Sequence, residues 1–351
     1  MKITQISENP FALISLWLIS GLATYLLLHP IRKFAIKQGF IDRPNIARKQ
    51  QPEAVPYLGG VGIALTVTSI GGTSVFLENQ SKFLFPIFGA ILFPAFLMLI
   101  LGLIDDLNSL TPRVKLSFQI IAGVISAGIL IITNTIGNSF GSDFLNFVIS
   151  IIWIVGITNS INLLDNSDGI AGGVVAISAL TLGILSFQGG QIYIGGLSLL
   201  ISGATLGFLV WNAPPARIYL GDSGALFLGL IMAVITIRIA PENLALIYSI
   251  FVVSLVMFIP ILDTSLVFTS RISKGISPFE GGRDHLAHRL NRIGHDSRTT
   301  GFIIWSLTGF FNFNAILLYN YWKDIGPAIL IANMSAFIIL FLWFWKIPSE
   351  D

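Results

Sequence analysis

The residues best equipped for chemistry in this sequence are five aspartates in three groups. Asp105 and Asp106 stand in GLIDDLNSLTPRVK, Asp165 and Asp168 in NSINLLDNSDGIAGG, and Asp222 in NAPPARIYLGDSGALFLG. Carboxylates gathered in one patch repel one another, and a divalent cation is the simplest relief. Mg²⁺ favours one or two carboxylates completed by waters and phosphate oxygens. Such a patch therefore points to phosphoryl chemistry, with Mn²⁺ as the alternative ion. Each aspartate alone has a plainer reading, Asp222 with Ser223 as a helix start and Asp168-Gly169 as a turn. Around Asp222, Gly221 and Gly224 permit backbone to approach a ligand closely. Tyr219 can stack on a planar base, and an interfacial tyrosine is also an ordinary membrane-belt residue.

A second constellation is basic. SRISKGISPFEGGRDHLAHRLNRIGHDSR holds three of the 4 histidines: His285, His288 and His295. His285 and His288 share a face if this stretch is helical. Arg283 and Arg289 flank them, and guanidinium forks suit a diphosphate. HxxH without a third fixed ligand is weak evidence for zinc. The loop also reads simply as basic charge on an amphipathic surface helix. Arg48 and Lys49 lead toward Pro56 and Gly59-Gly60 as another basic segment, and Lys115 stands ten residues beyond Asp105. Asp263, near Pro260, reads as a broken-helix feature, and His29 as an interfacial residue. The chain has no cysteine, which excludes disulfides, thiolate metal sites and cysteine nucleophiles.

What must position these groups is a membrane-embedded helical scaffold. Hydrophobic residues make up 54% and charged residues 11%, against about 25% charged in soluble domains. Mean hydropathy is +0.82. Apolar runs near twenty residues, the length that crosses a bilayer core, recur throughout. They predict an all-α polytopic protein of about eleven spans, near 11–29, 58–77, 83–104, 116–133, 144–163, 170–187, 192–210, 223–240, 244–268, 300–320 and 327–345. The first run is too long for a typical signal-peptide core and reads as a retained span. Of the 20 lysines and arginines, only Lys2, Lys82, Arg238 and Lys323 fall in one of the two alternating loop sets. The richer set is cytoplasmic by the positive-inside rule, which puts the amino terminus outside and the carboxyl terminus inside. The expectation is one integral-membrane catalytic domain over 1–351, with cytoplasmic loops near 30–57, 105–115, 164–169, 211–222 and 269–299. All five aspartates then sit where spans meet cytoplasm, and that common placement favours function over capping.

The motifs, in order, resemble those of the polyprenyl-phosphate N-acetylhexosamine-1-phosphate transferases. DRPNIARK with VPYLGG is similar to that family's first cytoplasmic loop. GLIDDLNSLTPRVKLSFQ resembles its DDxxxLxxxxK segment, NSINLLDNSDGIAGG its NxxNxxDGxDGLA segment, and NAPPARIYLGDSGALFLG its NxxPAxxFxGDxGSxxLG segment. PILDTSLVFTSR and DHLAHRL complete the series, which spans about Asp42 to Arg298. The resemblance implies Mg²⁺-dependent transfer of a sugar phosphate from a UDP-sugar to polyprenyl phosphate with release of UMP, in a bacterial inner membrane, the site facing the cytoplasm. It implies Asp222 as leading metal ligand, with Asp165 beside it. Asp105 and Asp106 would lie by the metal and the lipid phosphate, one available as base, with Lys115 as a cation of the same site. Asn162, Asp165 and Asp168 would hold uridine or metal, with Tyr219 against the uracil. His285, His288, Arg283 and Arg289 would meet the diphosphate or sugar, and Arg48 and Lys49 the substrate. A homodimer is compatible with this reading, and no nucleic-acid partner is expected.

Three departures bear on the sugar. Gln50-Gln51 stand where relatives place a histidine, Asn166 replaces a glycine, and Ala287 replaces a middle histidine. They place the chain nearer the undecaprenyl-phosphate GlcNAc-1-phosphate transferase branch than the phospho-MurNAc-pentapeptide translocase. A secondary transporter of an anion or sugar phosphate is the main rival. Transporters bind near the midplane at broken helices, whereas these acids cluster at one end of their spans.

Overall fold

A computed structural model describes residues 10–42, 55–77, 81–137, 139–239, 244–278 and 282–348. The helices are α1 Pro10–Gln38, α2 Gly59–Leu77, α3 Ser81–Leu107, α4 Pro112–Ile132, α5 Asp143–Leu164, α6 Ile170–Gln188, α7 Ile192–Asn212, α8 Gly221–Arg238, α9 Leu246–Val256, α10 Phe258–Ser273, α11 Leu286–Arg292 and α12 Ser297–Lys346. Two short strands, β1 Ile41–Asp42 and β2 Val55–Pro56, pair antiparallel and tie off the first long loop just before α2. The all-α expectation thus holds apart from this ribbon.

Among the described residues, eight helices are long and apolar enough to cross a membrane, or nine if α9 and α10 form one span. The sequence reading of eleven differs for two reasons. First, α2 qualifies only as a shorter apolar helix, Gly59–Thr73. Second, α12 covers both of the last two expected spans. Its 50 residues would run about 75 Å if straight, but Tyr321 has non-helical dihedrals (φ −124°, ψ 24°). Asn314 Nδ2 donates to Asn333 Oδ1 at 3.0 Å, so the arms fold back on each other. Both distal ends reach α11, through Thr300 to Asn291 and through Arg289 to the Phe344 carbonyl.

The expected span 244–268 is broken at Met257, where α9 and α10 meet at 78°. Pro260 has no N–H to offer the Val256 carbonyl four residues earlier. Ser178 Oγ (3.0 Å) and Asn312 Nδ2 (3.3 Å) donate to that carbonyl instead, as apolar surroundings require.

Helix α8 is the core. It is buried along almost its whole length and packs against α2, α3, α5 and α6. Small residues set how closely its start can be approached. A Cβ on Gly60 would lie 2.1 Å from Gly224 Cα, and one on Gly102 would lie 2.4 Å from the Asp222 carbonyl. The amino-terminal end of α8 is thus pressed between α2 and α3, and Asp222 stands there.

Candidate active site

Three helix ends and one lysine make the centre of the site. Asp105 and Asp106 occupy the last turn of α3, Asp222 the first turn of α8, and Asn162 the last turn of α5. Lys115, in the first turn of α4, donates to Asp105 Oδ2 and, at 3.0 Å, to Asp222 Oδ2. Asn162 Nδ2 donates to Asp222 Oδ1 at 2.8 Å, and the Leu110 N–H fixes Asp105 Oδ1 at 2.6 Å. The Asp105 side chain is 5% exposed and that of Asp222 31%. Asp222 is therefore the carboxylate of the pair more open to a ligand.

Asp106 is engaged differently. Its Oδ1 accepts from the Asp222 N–H at 2.8 Å and its Oδ2 from the Ser223 N–H at 3.2 Å. These are orphan donors of a helix start, so Asp106 caps α8 from a different helix. Gly221, at φ +74°, leaves the space this needs, since a Cβ there would lie 2.6 Å from Asp106 Oδ2. The resemblance gives Asp106 a catalytic place. The geometry gives it the job of holding Asp222.

The segment after α5 forms the adjoining wall. Asp168 Oδ2 accepts from the Ala216 N–H at 2.8 Å. Asn212 takes the Gly169 N–H on Oδ1 and donates Nδ2 to the Ile218 carbonyl, both at 2.9 Å. Burial pushes the Asp165 carboxyl well above the ordinary range, and the charges of Asp222, Asp106 and Asp168 push the same way. Asp165 therefore belongs to the same patch. Burial likewise raises Asp168, against the Ala216 hydrogen bond. Tyr219 is fastened by its backbone, its N–H to the Pro56 carbonyl and its carbonyl to the Gly59 N–H, each at 2.9 Å. Its ring lies 6.5 Å from that of Tyr57. The Tyr57 phenol is raised by burial, then by the Asp42 carboxylate to which it is hydrogen-bonded, with Asp106 and Asp222 adding.

The histidine segment is clamped rather than loose. Arg271 of α10 grips Asp284 through Nε to Oδ2 and Nη2 to Oδ1, both at 2.9 Å, in a buried bidentate pair. Arg289 sends Nε to the Asp284 carbonyl (2.9 Å) and Nη1 to the carbonyls of Phe344 (2.9 Å) and Ile347. It is 2% exposed, and these bonds pin α11 to the end of α12. His285 Nδ1 lies 2.8 Å from Asp263 Oδ2, and the His285 and His288 rings lie 5.7 Å apart. Arg283 is half-buried at the entry to this segment.

Burial raises the Asp284 carboxyl, but the Arg271 bonds and charge outweigh it and hold it below the usual range. Its contribution is therefore present above the unfolded value near 4 and lost as pH falls through the lower folded value. Asp284→Asn is expected to cost about 3–5 kcal/mol at pH 7 by stranding buried Arg271. Thermal melting in detergent should show that the gap from wild type closes below about pH 4. Equal melting at pH 7 would disprove the clamp.

The structure thus brings together Asp105, Asp106, Lys115, Asn162, Asp165, Asp168 and Asp222, with Tyr219 on the strip that enters α8. Arg48 and Lys49 lie outside the described residues, as do Gln50 and Gln51. Arg289 is committed to backbone carbonyls, the residue type the sequence reading takes for a phosphate fork. Tyr57 and Asn212 enter as residues that reading leaves unassigned, and Asp263, which it takes for a broken-helix feature, also meets His285 and caps α11. VPYLGG, NAPPA and PILDT were visible signals for them. Among the described residues no group of three or more histidines or acids has the spacing of a protein-only metal cage.

The fold and site define a multi-pass helical membrane protein with a carboxylate–lysine centre at the ends of its helices. Residues 88–240 match the model for glycosyl transferase family 4. The chain is 30% identical over 312 residues to a probable undecaprenyl-phosphate N-acetylglucosaminyl 1-phosphate transferase of Bacillus subtilis, covering 86% of this chain and 83% of the relative. It is 30% identical over 329 residues to a decaprenyl-phosphate N-acetylglucosaminephosphotransferase of Mycobacterium tuberculosis, covering 85% and 80%. A phospho-N-acetylmuramoyl-pentapeptide-transferase of Streptococcus thermophilus is 32% identical over 254 residues, covering 64% and 73%. The chain belongs to glycosyl transferase family 4, whose members with these names are phosphosugar transferases.

Proposed function

We propose that this chain transfers an N-acetylhexosamine 1-phosphate from a UDP-sugar to polyprenyl phosphate and releases UMP, the initiating step of an envelope glycan. The observation that carries this reading is Lys115 bonded to both Asp105 and Asp222. Carboxylates from separate helices converge on one lysine, and the relatives' names pair a polyprenyl phosphate with a sugar phosphate, anions that such a lysine and a carboxylate-held cation would neutralise.

The residues fit a divalent cation. Asp222 is partly open, Asp165 lies near it, and Mg²⁺ normally takes one or two carboxylates with phosphate oxygens and water. Asp222 and Asp165 would hold Mg²⁺ (or Mn²⁺), which supplies charge neutralisation of the diphosphate when bound. The remaining work falls to the chain's own groups. Asn162 and Lys115 hold the two Asp222 oxygens in fixed directions, and Asp106 fixes the backbone beneath them. Lys115 adds positive charge where the diphosphate gathers negative charge, the kind of electrostatic help that dominates phosphoryl transfer. An oxygen of the lipid phosphate bonds to the sugar-bearing phosphorus, and the bond from that phosphorus to the UMP oxygen breaks. A phosphate monoester loses its second proton near pH 6, so a strong base is unnecessary. Asp105, hydrogen-bonded and nearly buried, serves by holding Lys115.

The same reading puts the amino terminus outside, the carboxyl terminus and the site on the cytoplasmic side of a bacterial inner membrane, and eleven crossings in place of the eight or nine counted by length. It leaves room for a homodimer. Detergent-solubilised protein given polyprenyl phosphate and Mg²⁺ should release UMP from UDP-GlcNAc faster than from UDP-GalNAc or UDP-MurNAc-pentapeptide. Chelation should stop turnover, and added Mg²⁺ or Mn²⁺ should restore it. No UMP from any donor would overturn the reading, and turnover indifferent to chelator would remove the metal from it.

A further inference from the structure

Trp305 stands in the third turn of α12, a helix that carries none of the acids of the site. Its ring is half-buried, and Nε1 donates to the Gly169 carbonyl at 3.2 Å. Glycine on α6 makes the space, since a Cβ on Gly173 would lie 2.0 Å from Trp305 Nε1 and 2.5 Å from Cδ1. The indole therefore lies against bare backbone at the start of α6. The same end of α12 makes a second tie, Arg298 Nε to the Pro214 carbonyl at 3.2 Å. Gly169 and Pro214 belong to two strips joined by the Asp168–Ala216 bond and by the two bonds of Asn212. Helix α12 thus ties down both strips of the wall that carries Asp168.

An indole N–H in apolar surroundings takes a nearby acceptor in any case. What sets this one apart is where the acceptor stands. Gly169 is the joint between the loop bearing Asp165 and Asp168 and helix α6. It sits at φ +75°, and glycine has more conformational freedom to lose than any other residue. Such a joint keeps one shape only if the peptide groups on both sides of it are held. Asn212 Oδ1 takes the N–H of the peptide before it. Trp305 holds the carbonyl of the peptide after it, which also receives the Gly173 N–H at 3.0 Å. We propose that Trp305 is a positioning residue for the nucleotide end of the site, fixing through Gly169 the direction in which Asp168 meets the uridine of the donor. The inference rests on the function proposed above and brings into that site a helix the acidic motifs do not reach.

Trp305→Phe keeps an aromatic ring in the slot over Gly173 and removes the Nε1–H. In detergent, with polyprenyl phosphate, Mg²⁺ and the UDP-sugar used fastest, the KM for that sugar nucleotide and the inhibition constant of UMP should both rise roughly 3- to 10-fold, the worth of about one hydrogen bond. A contact that acts through binding leaves kcat alone, so kcat should stay near wild type, as should the KM for polyprenyl phosphate and the melting temperature. A role in folding alone would lower melting or the active fraction and leave both KM values untouched. That result, or an equal rise in both KM values, would overturn the proposal. Titrating UMP into wild type labelled with ¹⁵N at the indoles of its 7 tryptophans should move the Trp305 signal. That measurement stands even if Trp305→Phe does not fold, and a Trp305 signal unmoved at saturating UMP would equally overturn the proposal. A wild type that releases no UMP from any donor would instead remove the function on which it rests.

Discussion

Asp222→Asn is expected to cut UMP release by at least about 10³-fold while the protein still melts within a few degrees of wild type. The size follows from what the carboxylate does at once. It is the more open of the two acids joined by Lys115, and its oxygens take Lys115 Nζ at 3.0 Å and Asn162 Nδ2 at 2.8 Å. An amide of the same shape can accept on only one side, so its NH₂ must face another donor. It also removes the negative charge on which the proposed cation binding depends. Loss of one preorganised electrostatic group commonly costs about 10²–10³-fold, and under the proposed function a metal ligand goes with it. The fold should survive, because weakening the Lys115 and Asn162 bonds is offset by relief of the repulsion between Asp222 and its like-charged neighbours Asp106 and Asp165. Mg²⁺ should raise the melting temperature of wild type, as a ligand of the folded state does, and should leave the variant unmoved. A variant keeping a tenth of the wild-type rate, or still stabilised by Mg²⁺, would end the metal role assigned to Asp222.

How much of this was readable in advance follows from where each signal resides. Helices were legible because a membrane demands apolar runs, and α4 to α8 begin and end within a few residues of their expected places. The α9–α10 break was written in Pro260, though only the structure shows Ser178 and Asn312 answering the orphaned carbonyl. The acids were legible as a set, since helix ends on one side of a membrane tend to share a depth. Their division of labour was not. Asp106 looks like Asp105 in sequence, yet its partners are backbone N–H groups more than a hundred residues away. Backbone donors carry no side-chain signature. Arg289 misleads in the opposite direction, because a basic residue in a basic loop reads as open to ligands, while its guanidinium is buried among carbonyls. Asp263 was visible as an oddity, a lone acid in an apolar stretch. Its meaning waited on His285, a neighbour only after α10 and α11 pack.

Gly221→Ala is the second change expected to silence the enzyme, although alanine adds no charge and removes none. Gly221 sits at φ +74°, where a side chain costs about 1–2 kcal/mol. The added Cβ would also lie 2.6 Å from Asp106 Oδ2 and 3.2 Å from its Cγ. Asp106 closes the end of α3 and cannot swing away without releasing the Asp222 and Ser223 N–H groups. Once released, the first turn of α8 loses its cap and Asp222 shifts from Lys115 and Asn162. A displacement of about 1 Å at a reacting centre can cost 10²-fold, so turnover should fall by at least about that factor and melting should drop. Asp106→Asn provides the comparison, since it keeps the size and one acceptor while spoiling one of the two caps. It should be milder, near a tenfold loss, if Asp106 acts by holding the helix start. Should Asp106→Asn prove as inactive as Asp222→Asn while melting like wild type, the carboxylate itself would be acting on substrate or metal, and the capping account of Asp106 would fail.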